Sequence, residues 1–322
     1  MTTDITALRV EAEARARTAR TRKTVRSVLN YTLMIGLAFF FAFPIIIMLF
    51  SSFKPDAQIA GDMRSLNAFI PRNVTAENYS CADYDLENSA CSPTPGENPG
   101  LFERLPFGRI YFNSVFVTAS IVIGGLLFNS MAAFALARLN FPGKKLLLTS
   151  VIAMIIIPFE ALAVPLLLQV NSFPWIDGST SWINSYQVQI FPFMADAFSI
   201  FLFYQFFVGI PKDFDEAARV DGANIFTIYW RIIVPLSLPV FATVAILQAL
   251  THWGSFLWPL MATRGFEFQP LPVAMRVFFG QAPRQWGDIM AFASLATVPV
   301  LILFLLFQRW FVQSVASAGV KG

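Results

Sequence analysis

The chain has 322 residues, 56% of them hydrophobic and only 13% charged, with a mean hydropathy of +0.59. Water-soluble domains carry about 25% charged residues, so this composition excludes an ordinary soluble enzyme or binding module and indicates an all-α integral membrane protein. The net charge of +3 says little by itself and gives no reason to expect a nucleic-acid partner; where the charges fall says more.

Residues 1–27 form a basic segment with Arg9, Arg15, Arg17, Arg20, Arg22, Lys23 and Arg26. The first apolar run follows at 28–51. It is too long for a signal-peptide core and no small-residue cleavage site follows, so a retained membrane anchor is expected. A bilayer crossing needs about 20 apolar residues, and further runs near 110–136, 146–170, 188–208, 232–259 and 289–311 bring the expected total to six transmembrane helices. Positive charge concentrates on cytoplasmic ends. With the N-terminus inside, the inner segments hold the seven N-terminal bases plus Arg138, Lys144, Lys145, Lys212, Arg219, Arg231, Arg309 and Lys321, so both termini, including a tail at 312–322, are expected to be cytoplasmic. The 260–288 loop, with Arg264, Arg276 and Arg284, fits this orientation least well.

Residues 52–109 then make a long external loop, polar and rich in Pro and Gly at its centre. Cys81 and Cys91 lie ten apart within it and would face an oxidising compartment, where a disulfide is one reading and two unpaired thiols the other. The remainder, 110–311, reads as a five-helix core. Prolines 44, 158, 165, 192, 259 and 299 fall inside expected spans, where each removes a helix hydrogen bond.

No phosphate-binding loop, zinc-protease motif or nucleophile elbow occurs, and His252 is the only histidine, so neither catalysis nor a metal site is expected. Uphill transport would then draw on an ion gradient or on a partner. The intramembrane acids are Glu160 and Asp196. Both could face a polar pathway; alternatively Asp196 pairs with a neighbour and Glu160 sits near the outer interface. Asn129 and Ser130 in the second span, and His252 with Trp253 in the fifth, are further candidates for solute contact or for ordinary packing. Residues 209–231 differ from the rest. Glu216 opens a short helical pattern, Gly222 interrupts it, and Asn224 could cap a second helix carrying Ile225, Ile228, Tyr229, Ile232 and Ile233. Two short helices joined by a glycine turn are expected, with Glu216, Arg219 and Asp221 on a mixed-charge face that suits a protein partner better than anionic lipid.

Glu216-Ala217-Ala218, Gly222 after three intervening residues, then Ile232 and Val234-Pro235, resembles the EAA loop of ABC-importer permeases, with Val234 where that pattern has leucine. Ser52-Phe53-Lys54-Pro55, Asn113-Ser114, Ala135-Leu136-Ala137-Arg138, Phe141-Pro142-Gly143-Lys144, Ile210-Pro211 and Gln308-Arg309 are similar to the MalG-like sugar branch of that family. The likeness runs from residue 28 to the end. It departs in the insertion around 80–100 and at Trp253-Gly254, where the family has Trp-Asn. The resemblance implies a type I importer permease in a bacterial or archaeal inner membrane. It implies as partners a homologous second permease, an external solute-binding protein, membrane lipid, and two ATPase subunits that bind ATP and Mg. Glu216, Ala217, Ala218, Arg219, Asp221 and Gly222 would dock on an ATPase. A sugar is the implied solute; a polyol, glycerol phosphate or polyamine is the alternative, and a self-powered secondary transporter the reading from a different class.

Overall fold

Backbone N–H and C=O groups find no partners in lipid, so long apolar runs must bond internally, and helices do so within one segment. The computed structural model describes residues 2–62, 70, 72–80, 84–85, 90–91, 100–176, 178, 180–280 and 284–319, with the backbone alone described over 2–20, 84–85, 90–91 and 308–319. In chain order come α1 (Thr2–Ser51), α2 (Asp56–Asp62), β1 (Tyr84–Asp85), β2 (Ala90–Cys91), α3 (Leu101–Arg104), α4 (Phe107–Arg138), α5 (Lys144–Ile156) and α6 (Phe159–Asn171). There follow α7 (Tyr186–Ile190), a 3₁₀ turn (Phe191–Phe193), α8 (Ala197–Gly209), α9 (Asp213–Val220), α10 (Ile225–Ile228), a π turn (Tyr229–Ile233) and α11 (Val234–Leu236). The chain then continues through α12 (Leu238–Trp253), α13 (Leu257–Ala262), α14 (Leu271–Ala274), α15 (Arg276–Phe279) and α16 (Trp286–Gly319). Among the described residues the strands make one short antiparallel ladder, Tyr84 opposite Cys91, so the architecture is helical. Cys81, and with it the question of a Cys81–Cys91 bond, lies outside the described residues.

Four segments are long and apolar enough to cross a membrane: Thr21–Ser51, Phe107–Arg138, Tyr186–Gly209 and Trp286–Phe307. Two further pairs are bent, α5 with α6 by 105° and the Ile225–Leu236 stretch with α12 by 78°, giving up to six spans if each pair counts once. The expected span 146–170 is therefore not one rod. Pro158 caps α6 in an extended conformation, lacking the N–H that would continue α5 and pushing Ile157 out of the helical region. Each half has 13 residues, about 20 Å of helix against a hydrocarbon core of about 30 Å. The expected span 232–259 is similarly divided: α12 starts after Ser237 and stops at Gly254. The fourth span, expected as continuous over 188–208, counts as one crossing but passes through a 3₁₀ turn at Phe191–Phe193 before Asp196 caps α8.

Helix α4 is the hub, packing against α8 and α12, while α1 lies along α16. Two glycines set the depth of that packing. A methyl group on Gly124 would come 2.8 Å from the Met194 Cε, and one on Gly125 would collide with the Gln248 amide. At the N-terminal end of α4, Asn113 and Ser114 hold the 266–271 loop. The Asn113 Nδ2 donates to the Glu267 and Gln269 carbonyls at 3.0 and 3.1 Å. Its Oδ1 accepts from the Tyr186 hydroxyl at 2.7 Å, and the Ser114 Oγ accepts from the Leu271 N–H at 2.7 Å. Nearby, Asn78 donates to the Ser52 and Lys54 carbonyls, and the fully buried Asp288 pairs with Arg104 at 3.3 Å. These bonds fix that end of the bundle with backbone carbonyls as the main acceptors.

Candidate functional site

The opposite, C-terminal end of α4 carries the 213–233 segment. Helix α9 begins with Asp213, Asp215 and Glu216 in its first turn, where carboxylates face the exposed N–H groups of the helix start. Asp215 and Ala218, three apart, turn inward on one face. The Asp215 Oδ2 lies 3.3 Å from the Arg138 Nε, both side chains almost fully buried, and the Arg138 Nη2 donates to the Ile210 carbonyl at 2.8 Å. Ala218 joins an apolar cluster with Phe134 of α4, Phe203 and Phe207 of α8, and Ile228, Tyr229 and Ile233. The other face is solvent-exposed: Glu216, Ala217, Arg219 and Asp221 all point outward, beside Val220 at 88% exposure.

The turn between α9 and α10 follows from local chemistry. Gly222 has φ +81 and open space where a side chain would be, so the backbone angle, and not crowding, selects glycine. Its N–H donates to the Arg219 carbonyl and the Ala223 N–H to the Ala218 carbonyl, the paired closure of a Schellman motif. Asn224 then accepts the Thr227 N–H at 2.8 Å and caps α10 as the sequence indicates. Beyond it the helix widens into the π turn, where the Tyr229 and Ser130 hydroxyls are 2.6 Å apart. Of the six residues assigned to this surface, five face outward and one, Ala218, faces the core.

A second feature lies among α6, α8 and α12. A cavity of about 440 Å³ is lined on its polar side by Glu160, Asp196, Ser199, Gln248 and His252, and on its apolar side by Phe159, Phe193 and Phe198. Such a volume suits a small-molecule site. Asp196 is held from two directions: its Oδ2 accepts the Ser199 N–H at 2.7 Å, and its own N–H donates to the Asn129 Oδ1 at 3.0 Å. Gln248 donates through Nε2 to the Ser199 Oγ at 3.1 Å. The Gln248 Oε1 and the Asn129 Nδ2 are buried without a hydrogen-bond partner. The His252 ring rests 5.5 Å from that of Phe193. Glu160 is exposed in the first turn of α6.

The fold thus gathers three of the five pathway candidates, Glu160, Asp196 and His252, around one space, with Asn129 bracing Asp196 from behind. Trp253 is not among them. Its Nε1 donates to the Ala296 carbonyl at 3.0 Å and its ring meets that of Tyr111 edge-on at 6.2 Å, on the side of α12 that faces α16. Two residues escaped sequence reasoning. Gln248 is a lone amide in an apolar helix, a pattern that by itself marks a membrane site. Asp215 sits one residue before Glu216 and reads as part of the same charged run, although its partner Arg138 is far off in sequence.

Residues 109–317 match the family described as the binding-protein-dependent transport system inner membrane component. The chain belongs to that family. It is 32% identical over 304 residues to the arabinooligosaccharides transport system permease protein AraQ of Halalkalibacterium halodurans, covering 94% of this chain and 99% of that protein. It is 30% identical over 217 residues to the sn-glycerol-3-phosphate transport system permease protein UgpE of Yersinia enterocolitica, covering 66% of this chain and 74% of the other. Its fold matches a chain in the crystal structure of a bacterial ABC transporter involved in the import of the acidic polysaccharide alginate, with a TM-score of 0.70 at 21% identity, covering 89% of this chain and 96% of that one. The permease is accordingly a multi-pass inner-membrane protein with the fold of an ABC importer permease.

Proposed function

We propose that this permease is one membrane-spanning half of an ATP-driven, binding-protein-dependent importer of sugar oligomers. The observation that carries the reading is the end-to-end likeness to an arabinooligosaccharide permease, which spans nearly the whole of both chains. An external binding protein delivers the solute, a homologous second permease completes the passage, and two cytoplasmic ATPase subunits hold ATP and Mg. The 213–233 segment faces the cytoplasm, as do both termini. Its exposed Glu216, Arg219 and Asp221 make charge-assisted contacts with an ATPase. Gly222 sets the angle between α9 and α10, and the Asp215–Arg138 pair passes the ATPase's movement to α4. The solute passes the cavity bounded by Glu160, Asp196 and His252.

The test reconstitutes all subunits in proteoliposomes and follows uptake of a neutral pentose oligosaccharide. Uptake is expected to require ATP, the ATPase subunits and the binding protein. Gly222→Pro, which forces φ to about −65° and removes the N–H bonded to Arg219, is expected to abolish uptake and ATPase co-purification together. Uptake by this chain alone, driven by a proton or sodium gradient, overturns the reading. The UgpE likeness favours glycerol phosphate as the second reading for the solute, and sn-glycerol 3-phosphate uptake by the same vesicles decides it.

A further inference from the structure

We propose that the cavity of this permease is an anion-excluding filter: the solute passing it is an uncharged polyhydroxy compound, and sugars bearing a uronate or phosphate group are rejected here, whatever the binding protein delivers. This rests on the reading that the solute crosses through this chain. Among the described residues the cavity wall carries two carboxylates, Glu160 and Asp196, and no lysine or arginine. His252 is the one lining group able to carry positive charge, and it can balance only one of the two. An anion entering would shed water beside like charge with no paired cation to replace its hydration, whereas a hydroxyl carries no such penalty.

The uncharged groups point to the same ligand chemistry. Gln248, 4% exposed, donates through Nε2 to Ser199, and its amide head lies against Gly125 of α4, behind the cavity wall. Thr251 and Ser255 add hydroxyls that can donate or accept. Phe159, Phe193 and Phe198 supply the apolar wall on which the C–H faces of a sugar ring pack. Among the described residues no three His, Cys, Asp or Glu side chains are grouped as metal ligands.

The experiment uses the complete permease–ATPase complex in nanodiscs without the binding protein. The ligands are a neutral pentose–hexose oligosaccharide and the same molecule with its terminal C6 oxidised to a carboxylate. Saturation-transfer NMR titrations give an apparent affinity for each. The neutral sugar is expected to bind at least about tenfold more tightly, a ratio that one uncompensated like charge at partly hydrated range produces. Glu160→Gln combined with Asp196→Asn is expected to bring the ratio within about threefold, chiefly by tightening the uronate; asparagine keeps an oxygen for the Ser199 N–H. If the double variant does not assemble, Glu160→Gln alone, at an exposed position, must lower the ratio about threefold. Equal affinities in the unaltered protein, a ratio unmoved by the substitutions, or no binding of either sugar each overturn the proposal. ATP-driven uptake of the neutral sugar, with binding protein added to the same preparation, separates the two claims. Uptake without discrimination sinks the filter alone, while absence of uptake sinks the importer reading.

Discussion

The 213–233 segment and the cavity both mix acids with amides and hydroxyls, yet they dispose of them in opposite ways. In the segment, the backbone closes its own accounts: a Schellman turn at Gly222, an asparagine cap on α10, and a buried Asp215–Arg138 pair behind. Its remaining charges all face outward. In the cavity, Asp196 and Ser199 are held in place, and Glu160, Asp196 and His252 border the open space. A surface that must meet a protein partner repeatedly benefits from a fixed shape. A space that admits a small molecule benefits from polar groups held at its wall. A closed turn with outward charge and an open space bordered by charge are thus two separable arrangements within one chain.

Substitutions that touch only one region test that separation. The largest effect is expected from Arg138→Ala, which leaves the Asp215 carboxylate buried without its cation. Breaking such a pair costs about 3–5 kcal/mol, so thermal unfolding in detergent is expected several degrees lower and ATPase co-purification at least about tenfold weaker. Adding Asp215→Ala to it should restore part of the loss, and a single variant as stable as the parent would show that the segment is not anchored there. Gly125→Ala comes next. The added methyl drives the Gln248 amide out of place at about 1–3 kcal/mol, and uptake is expected to fall several-fold while ATPase co-purification stays intact. Equal losses in both measurements would erase the distinction between the regions. Gly222→Ala meets no neighbour but holds alanine at positive φ, at about 1–2 kcal/mol. ATP-driven uptake should drop about two- to threefold with neutral and acidic sugars affected alike. The smallest effect is expected for Trp253→Phe, which removes the hydrogen bond to the Ala296 carbonyl, worth about 1 kcal/mol. Sugar preference should not move; a changed preference would place Trp253 in the solute's path.

The helix–glycine–helix unit was legible because its signals are local: a glycine where φ must be positive and an asparagine whose oxygen reaches three residues ahead. Hydropathy located the apolar stretches equally well but not their courses. It sums along the chain and has no direction, so a proline that gently kinks one helix and a proline that turns α5 into α6 by 105° look alike. The cavity depended on the same missing information, since Glu160, Asp196 and His252 meet only because α6, α8 and α12 converge. Adjacency misled in the case of Trp253. Consecutive residues on a helix point about 100° apart, so the residue beside His252 faces α16 while Gln248, one turn earlier, shares its wall.

Helix α12 begins at Leu238, directly after the π turn and α11, and ends at His252 and Trp253. Sixteen residues make a rod about 24 Å long, with its near end behind the surface assigned to the ATPase and its far end in the wall of the cavity. A lever of that length, tilted by about 10°, displaces its tip by about 4 Å. That exceeds the span of a hydrogen bond. Under the proposed function, one modest pivot near Ser237 would therefore carry His252, close to the tip, out of reach of a hydroxyl it held, with no rearrangement inside the cavity itself.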